Sequence, residues 1–267
     1  MEKRSKVINF KNSTYVAGYA AVGSKYEKEG RLGGQFDYIF DDPLAGKDSW
    51  EQAESELQKT AFEIAVKKSE NETENIDVIF AGDLLNQCVG STFGIKKYDI
   101  PFVGVYGACS TMALSLIMAS AFVDGGFADL SAAITSSHYC SAERQYRFPL
   151  EYAGQRPPTS QWTATASGAV IVSNKKSEIS VKRAYIGEVV DYGIADANNM
   201  GAAMAPDDVK IRPYPTREGM VFFYTQIQYL RGLRALFKGF LMRKTVEKSV
   251  NEIYVQSRNY YKKEEEF

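Results

Sequence analysis

The chain has 267 residues, of which 45% are hydrophobic and 24% charged, and its formal net charge is −1. This composition is typical of a globular protein and gives no reason to expect a nucleic-acid partner. Three cysteines, one histidine and the lack of a CxxC pair exclude a disulfide framework and the common zinc sites, so we expect neither a metal nor a cofactor.

The opening sequence, MEKRSKVINF, lacks the apolar run of a secretory signal, which predicts a reducing, intracellular location. No apolar segment is long enough to span a membrane. Residues 5–25 alternate between apolar and polar positions and predict a strand pair or a strand with a turn. The Gly-rich residues 30–42 lack the Lys-Ser/Thr pair of a phosphate loop, so we assign them a structural role.

A helix is predicted to begin after Asp48 or Ser49, because either residue can cap it. The helix is indicated by apolar residues at helical spacing: Trp50, Ala53, Leu57, Ala61 and Ile64.

Two short apolar runs, at residues 76–80 and 101–106, predict buried strands. The following residues, 112–123, predict a helix that is apolar all round and therefore buried on every side. Alternating strands and helices are typical of βαβ units, so the sequence predicts an α/β fold with a mostly parallel sheet. Further strands are predicted at residues 130–135, 166–173 and 179–190.

Cys109 lies at the joint between a predicted strand and the apolar helix. The backbone N–H groups and the dipole at a helix start favour a thiolate or a bound anion. The thiol is therefore a candidate nucleophile, and the N–H groups of residues 109–111 are a candidate anion site. A buried cysteine that only packs is the alternative, and it is our interpretation of Cys88 and Cys140.

A polar, Pro-containing loop is predicted at residues 135–161, and long loops in compact α/β domains are usually functional. It contains His138, Arg144, Arg147 and Arg156 among three tyrosines and one phenylalanine. Arginine suits carboxylates, although an ion pair with a neighbouring glutamate is an equally simple use.

Six ordered motifs resemble the stage V sporulation protein AD family of the thiolase-like superfamily. The likeness covers roughly residues 8–206. The motifs are GDLLNQ (82–87), GACST (107–111), FVDGGFAD (122–129), TSSH (135–138), AERQYRFPLEY (142–152) and SGAV (167–170).

The resemblance implies a thiolase-like fold of αβαβα layers, with the first half of a duplicated architecture largely present and the second half missing or replaced. It implies a sporulation protein that binds dipicolinic acid, alone or as its calcium chelate, and assists its uptake into the developing spore. The implied protein partners are other proteins of the stage V sporulation A operon and a second copy of the chain in a homodimer. The resemblance also implies peripheral attachment to the cytoplasmic face of the inner spore membrane.

The resemblance divides the chain into a thiolase-like domain, residues 1–206, and a divergent basic tail, residues 207–267. The first part holds 20 Lys and Arg against 25 Asp and Glu, whereas the tail holds 12 against 8. A frameshift or truncation after about residue 206 would explain this change in charge. The chain would then be a non-functional remnant if the second half is essential. A genuine tail with a basic amphipathic helix that lies on a membrane or packs on the domain is the alternative.

Thiolase-like acyltransferases use a cysteine nucleophile, whose position Cys109 matches, together with proton-transfer groups from the second half. His138 is the one imidazole in this sequence, so the resemblance favours a non-catalytic role with no confident catalytic residue. A Cys109-dependent acyltransferase remains the alternative. The predicted ligand-binding residues are Cys109, Ser110, Thr111, His138, Arg144 and Arg147.

Overall fold

The computed structural model describes residues 7–12, 14–142, 164–186 and 220–224. The chain divides into two units, residues 1–228 and 229–267, and the second lies outside the described residues. The helices are α1 (Lys25–Lys28), α2 (Trp50–Lys68), α3 (Val89–Ile95) and α4 (Thr111–Asp124). The strands are β1 (Val7–Asn9), β2 (Tyr15–Gly23), β3 (Tyr38–Ile39), β4 (Val78–Gly82), β5 (Phe102–Gly104), β6 (Leu130–Ser137), β7 (Ala166–Ser173), β8 (Ile179–Ile186) and β9 (Met220–Tyr224).

The described strands form one sheet in the order β1-β8-β2-β7-β6-β4-β5, with β3 beside β2 and β9 beside β8. Strand β4 pairs parallel with β5 and β6, whereas β7 pairs antiparallel with β6 and β2. The α/β fold class is confirmed, but the prediction of a mostly parallel sheet is wrong because the sheet is mixed. Strands buried on both faces are apolar throughout, so composition does not reveal their direction.

Helix α2 begins where the sequence predicts. The Ser49 hydroxyl accepts a hydrogen bond from the Gln52 N–H at 3.3 Å and so caps the helix. Its buried face, which includes Ala61 and Phe62, packs into the main core with residues of four strands. A Cβ on Gly18 would lie 2.3 Å from the Ala65 carbonyl oxygen, so β2 approaches α2 as closely as only glycine allows.

Helix α4 covers the opposite face of the sheet. On β4, Ile79 belongs to the core cluster under α2, while the ring of its neighbour Phe80 lies 4.8 Å from that of Phe122 on α4. On β6, the Ser131 hydroxyl donates to the Ala119 carbonyl of α4 at 3.0 Å. Because successive side chains of a strand point to opposite faces, α2 and α4 lie on either side, and the domain has three layers.

One outer side of α4 is less covered than the sequence predicts. Ser115, Leu116 and Ala119 are buried, but Leu114 and Met118 are only half-buried, so the prediction of burial on every side is wrong. An apolar composition shows that a helix can be buried but not which of its sides is covered. Among the described residues, none of the helices has both the length and the hydropathy required to cross a bilayer.

Candidate functional site

The carboxyl ends of β4 and β5 meet the start of α4. A Cβ on Gly82, the last residue of β4, would lie 1.9 Å from the Val105 carbonyl oxygen and 2.5 Å from Thr111 Cγ2. Glycine therefore lets three chain segments touch at one point. In open α/β sheets, ligands bind beyond the carboxyl ends of the parallel strands, and this junction has that position.

The turn into α4 is strained. Ala108 has a φ of +47°, in the left-handed region that costs a residue with a Cβ. The Ser110 hydroxyl donates to the Gly107 carbonyl at 2.6 Å, and the Gly107 N–H donates to Thr111 Oγ1 at 3.1 Å. Such strain persists where the surrounding structure enforces it, and it is often found at functional sites.

Three of the predicted site residues lie together in this turn. The backbone of Cys109 is the middle of a short 3₁₀ helix, Ala108–Ser110, and its side chain lies outside the described part of the structure. Ser110 and Thr111 are buried. Ser110 is the residue before α4, but its hydroxyl makes no bond that caps the helix. The Ser110 N–H donates to the Gly107 carbonyl at 3.0 Å and the Thr111 N–H donates to the Ala108 carbonyl, so the prediction that these two N–H groups are open to an anion is wrong. The later N–H groups of the first turn of α4 receive no side-chain cap from Ser110.

A second left-handed turn follows β4. Gln87 and Cys88 have φ values of +59° and +53°. Asp83, which is buried, accepts hydrogen bonds from the Leu85 N–H at 2.8 Å, the Ser91 N–H at 2.6 Å and the Ser91 hydroxyl at 2.5 Å. The carboxylate thus fixes the turn and caps the first turn of α3.

Cys88 connects the two turns. Its thiol donates to the Val105 carbonyl over 3.6 Å, and burial, with a smaller contribution from the charge of Asp83, raises the pKa of Cys88. A thiol held in its protonated form is a poor nucleophile. This agrees with the interpretation of Cys88 as a structural residue.

His138 lies beyond the end of β6 and is buried. Its Nε2 lies 2.7 Å from the Pro43 carbonyl oxygen, and the Cys140 N–H donates to Nδ1 at 3.1 Å. A carbonyl only accepts, so the neutral tautomer with its proton on Nε2 satisfies both contacts. Burial lowers the pKa of His138, against the opposing effects of the Pro43 carbonyl and the charge of Glu51, and so favours that neutral form.

The imidazole of His138 belongs to the α2 side of the sheet. Its ring centroid lies 5.5 Å from that of Trp50, the first residue of α2, whereas Cys109 precedes α4. The structure therefore brings Cys109, Ser110 and Thr111 together and gives His138 other partners, and its predicted contact with a ligand stays a prediction. Arg144 and Arg147 lie outside the described residues.

A buried polar network lies under α2 and was not predicted from the sequence. Glu54 and Gln58 are fully buried although they lie beside the apolar residues of the helix. Gln58 Nε2 donates to the Ser136 hydroxyl at 2.7 Å and to the Ser91 hydroxyl at 2.9 Å. The signal in the sequence is the four-residue spacing of the two polar residues, which places both on one face of the helix.

The model of the family "Stage V sporulation protein AD" matches residues 4–212. Stage V sporulation protein AD of Bacillus subtilis (strain 168) is 43% identical to the chain over 197 residues, which are 74% of this chain and 58% of that protein. The chain thus spans less than two thirds of the length of this relative.

Similar solved structures are 3-oxoacyl-(acyl carrier protein) synthase III of Xanthomonas oryzae pv. oryzae and cerulenin-bound OleA of Xanthomonas campestris. The first has 16% identity and a TM-score of 0.42, covering 62% of this chain and 57% of that one. The second has 15% identity and a TM-score of 0.43, covering 65% and 60%. The family match spans well over half of the sequence and includes all six motifs, so the chain belongs to the stage V sporulation protein AD family.

Proposed function

We propose that this chain is a non-catalytic protein of sporulation that binds dipicolinic acid, alone or as its calcium chelate, and assists its uptake into the developing spore. Membership of the stage V sporulation protein AD family supports a role in sporulation. The observation that carries the binding site is the start of α4, where the Ser110 hydroxyl is bonded to Gly107 and leaves the helix without its cap.

Dipicolinic acid carries two carboxylates on a flat pyridine ring. One carboxylate binds the N–H groups of the first turn of α4 that follow Thr111, whose own N–H donates to Ala108, and the helix dipole favours an anion there. Arg144 and Arg147, which come shortly after the last described residue of the loop in the sequence, bind the second carboxylate through paired N–H groups. Thr111 shapes the floor of the site from its buried position.

The hydrogen bonds of His138 support a non-catalytic role. An acyl transfer at Cys109 needs a base, and general acid–base help contributes about 10²–10⁴-fold to a rate. The imidazole of His138 donates to Pro43 and accepts from Cys140, so in the described residues no histidine stands ready to take a proton from Cys109.

The strained turn before Cys109 favours one second candidate, a thiolase-like acyltransferase. A cysteine after a left-handed residue at a strand-to-helix joint resembles the sharp turn that presents a nucleophile. Alkylation by iodoacetamide distinguishes the acyltransferase from the non-catalytic binding protein, because a catalytic Cys109 reacts much faster than the protonated Cys88. Turnover of acyl-CoA together with fast alkylation would establish the acyltransferase.

Isothermal titration calorimetry of the full 267-residue chain tests the proposal. We expect saturable binding of dipicolinate and weaker binding of benzene-1,3-dicarboxylate, which presents the same carboxylates without the ring nitrogen. Arg144→Gln and Arg147→Gln should each weaken binding about 10- to 100-fold, because each removes a hydrogen bond to a charged group. Heat no different from that of buffer, at concentrations up to the millimolar range, rejects the binding role.

The proposal extends to partners. A homodimer is supported by β5, which is an edge strand among the described strands and has an exposed Val103, and by Phe93 and Tyr106, which are each more than half exposed. Val103→Lys should then shift the chain from dimer to monomer in sedimentation velocity. We also propose peripheral contact with the inner spore membrane and with other proteins of the same operon, which co-sedimentation with spore membrane vesicles tests.

A further inference from the structure

Gln58 is a fully buried amide in the interior of α2, and its contacts reach two neighbouring parts of the fold. Its Nε2 donates to Ser136 Oγ at 2.7 Å and to Ser91 Oγ at 2.9 Å, and its longest contact is 3.4 Å, to the Gly82 carbonyl oxygen. Its Oε1 has no hydrogen-bond partner among the described residues. Because a buried carbonyl without a donor is costly, the nitrogen side must be what holds the amide in this orientation.

The two serines determine that orientation. A serine hydroxyl has one proton to donate. The Ser91 hydroxyl donates to Asp83 Oδ2 at 2.5 Å, and the Ser136 hydroxyl donates to Glu54 Oε1 at 2.8 Å. Towards Gln58 both serine oxygens can therefore only accept, and the amide nitrogen has two protons to give them. Gln58 thus fixes Ser91 of α3 relative to Ser136 of β6.

The network begins where the backbone ladder between β4 and β6 ends. The last paired residues of these strands are Gly82 and Thr135. Beyond Gly82 the chain turns through Gln87 and Cys88, which both have left-handed backbone conformations. Such residues cost free energy and persist where other contacts hold them. Asp83 holds this turn through its three hydrogen bonds, one of which comes from the hydroxyl that Gln58 contacts.

We infer that Gln58 is a latch, which ties the strained turn after β4 to the end of β6. When the bond to Ser136 is lost, the amide is free to rotate away from Ser91. The Ser91 hydroxyl then loses the donor that keeps its own proton directed at Asp83. The turn has strain to release, so it opens more often. The end of β6 and the turn after β4 are thus coupled through one side chain, and the latch requires no ligand.

The two faces of β6 allow the latch to be separated from ordinary packing. Ser136→Ala removes the anchor of the amide on β6, and Gln58→Met keeps a side chain of similar length without its donors. Ser131→Ala is the matched control, because this serine lies on the same strand and is also buried. Its hydroxyl instead donates to the Ala119 carbonyl of α4 at 3.0 Å.

Amide hydrogen exchange of the full chain, read in peptides covering residues 83–91, measures the opening of the turn. The exchange rate there should rise about 5- to 10-fold in Ser136→Ala, the effect of one lost hydrogen bond, and stay near wild type in Ser131→Ala. Gln58→Met should raise it at least as much, and adding Ser136→Ala to Gln58→Met should cause no further rise, because the link is already broken. Peptides covering residues 166–173 of β7 should change less, which separates local opening from a general loss of stability.

Three results would overturn the latch. The first is an unchanged exchange rate of residues 83–91 in Ser136→Ala. The second is a rise that is equally large in Ser131→Ala or in the β7 peptides, because it would reflect a general loss of stability. The third is a further rise when Ser136→Ala is added to Gln58→Met, because Ser136 would then reach the turn by another path. If Gln58→Met does not fold, the comparison of the two serine variants still decides.

Discussion

The contact at Gly82 gives the sharpest prediction for the junction of β4, β5 and α4. In Gly82→Ala, the new Cβ would lie 1.9 Å from the Val105 carbonyl oxygen, whereas such contacts are essentially never closer than 3.0 Å. The backbone must therefore move by at least 1.1 Å, the difference between these two distances. Overpacking of this kind costs about 1–3 kcal/mol and occasionally more, and we expect about 3 kcal/mol because the obstacle is backbone.

Urea unfolding followed by circular dichroism measures this loss as a lower midpoint with an unchanged slope. Gly34→Ala is the matched control, since a Cβ there meets nothing within 4 Å, and it should leave the stability unchanged or raise it by less than about 1 kcal/mol. Because α4 starts at Thr111, Gly82→Ala should also weaken dipicolinate binding. Equal stability of the two alanine variants would refute the close approach that defines the site.

Asp83→Asn should lower the free energy of unfolding by about 2 kcal/mol in the same assay, because the single oxygen of an amide cannot accept from the Leu85 N–H and both Ser91 donors. The control is Asp41→Asn, at an exposed ion pair with Lys28, which should leave the urea midpoint unchanged. The folded-state pKa of His138 is lowered by burial, so below pH about 6.5 the unfolded chain takes up a proton that the folded chain refuses. Stability should then fall as the pH drops from about 6.5 towards the folded pKa, by at most about 1.4 kcal/mol per pH unit. His138→Gln should remove that part of the slope, and an identical slope in the two proteins would contradict the buried neutral ring.

Local signals located several elements correctly. The prediction for β7, residues 166–173, agrees with the structure, because a short apolar run is bounded there by polar turns. The Ser49 cap of α2 is likewise a property of neighbouring residues. The strand predicted at residues 76–80 begins two residues too early: Asp77 uses its carboxylate to accept from the Asp129 and Leu130 N–H groups at the start of β6, an interaction between distant residues.

The candidate site was only partly predictable for the same reason. The strand-to-helix joint at Cys109 is visible in the sequence, and the structure places it beside Gly82 as a strained turn. One hydrogen-bond partner of His138 is Pro43, 95 residues away, and spacing along the chain does not reveal this contact. The sequence pattern predicts Glu54 to be a solvent-exposed helix residue, because its contact with Ser136 of β6, 82 residues away, forms only in the folded chain. Tertiary contacts decide which polar residues of an amphipathic pattern are buried.

We propose that the start of α4, which Ser110 leaves without a side-chain cap, holds a carboxylate of dipicolinic acid and performs no chemistry on it. Calorimetric titration with dipicolinate of the wild-type chain, Gly82→Ala and Gly34→Ala, run in parallel, tests this binding. We predict one saturable site in the wild type and in Gly34→Ala, and a markedly weaker one in Gly82→Ala. Equal affinity in all three proteins, or no binding by the wild type, would rule out a carboxylate site at the start of α4.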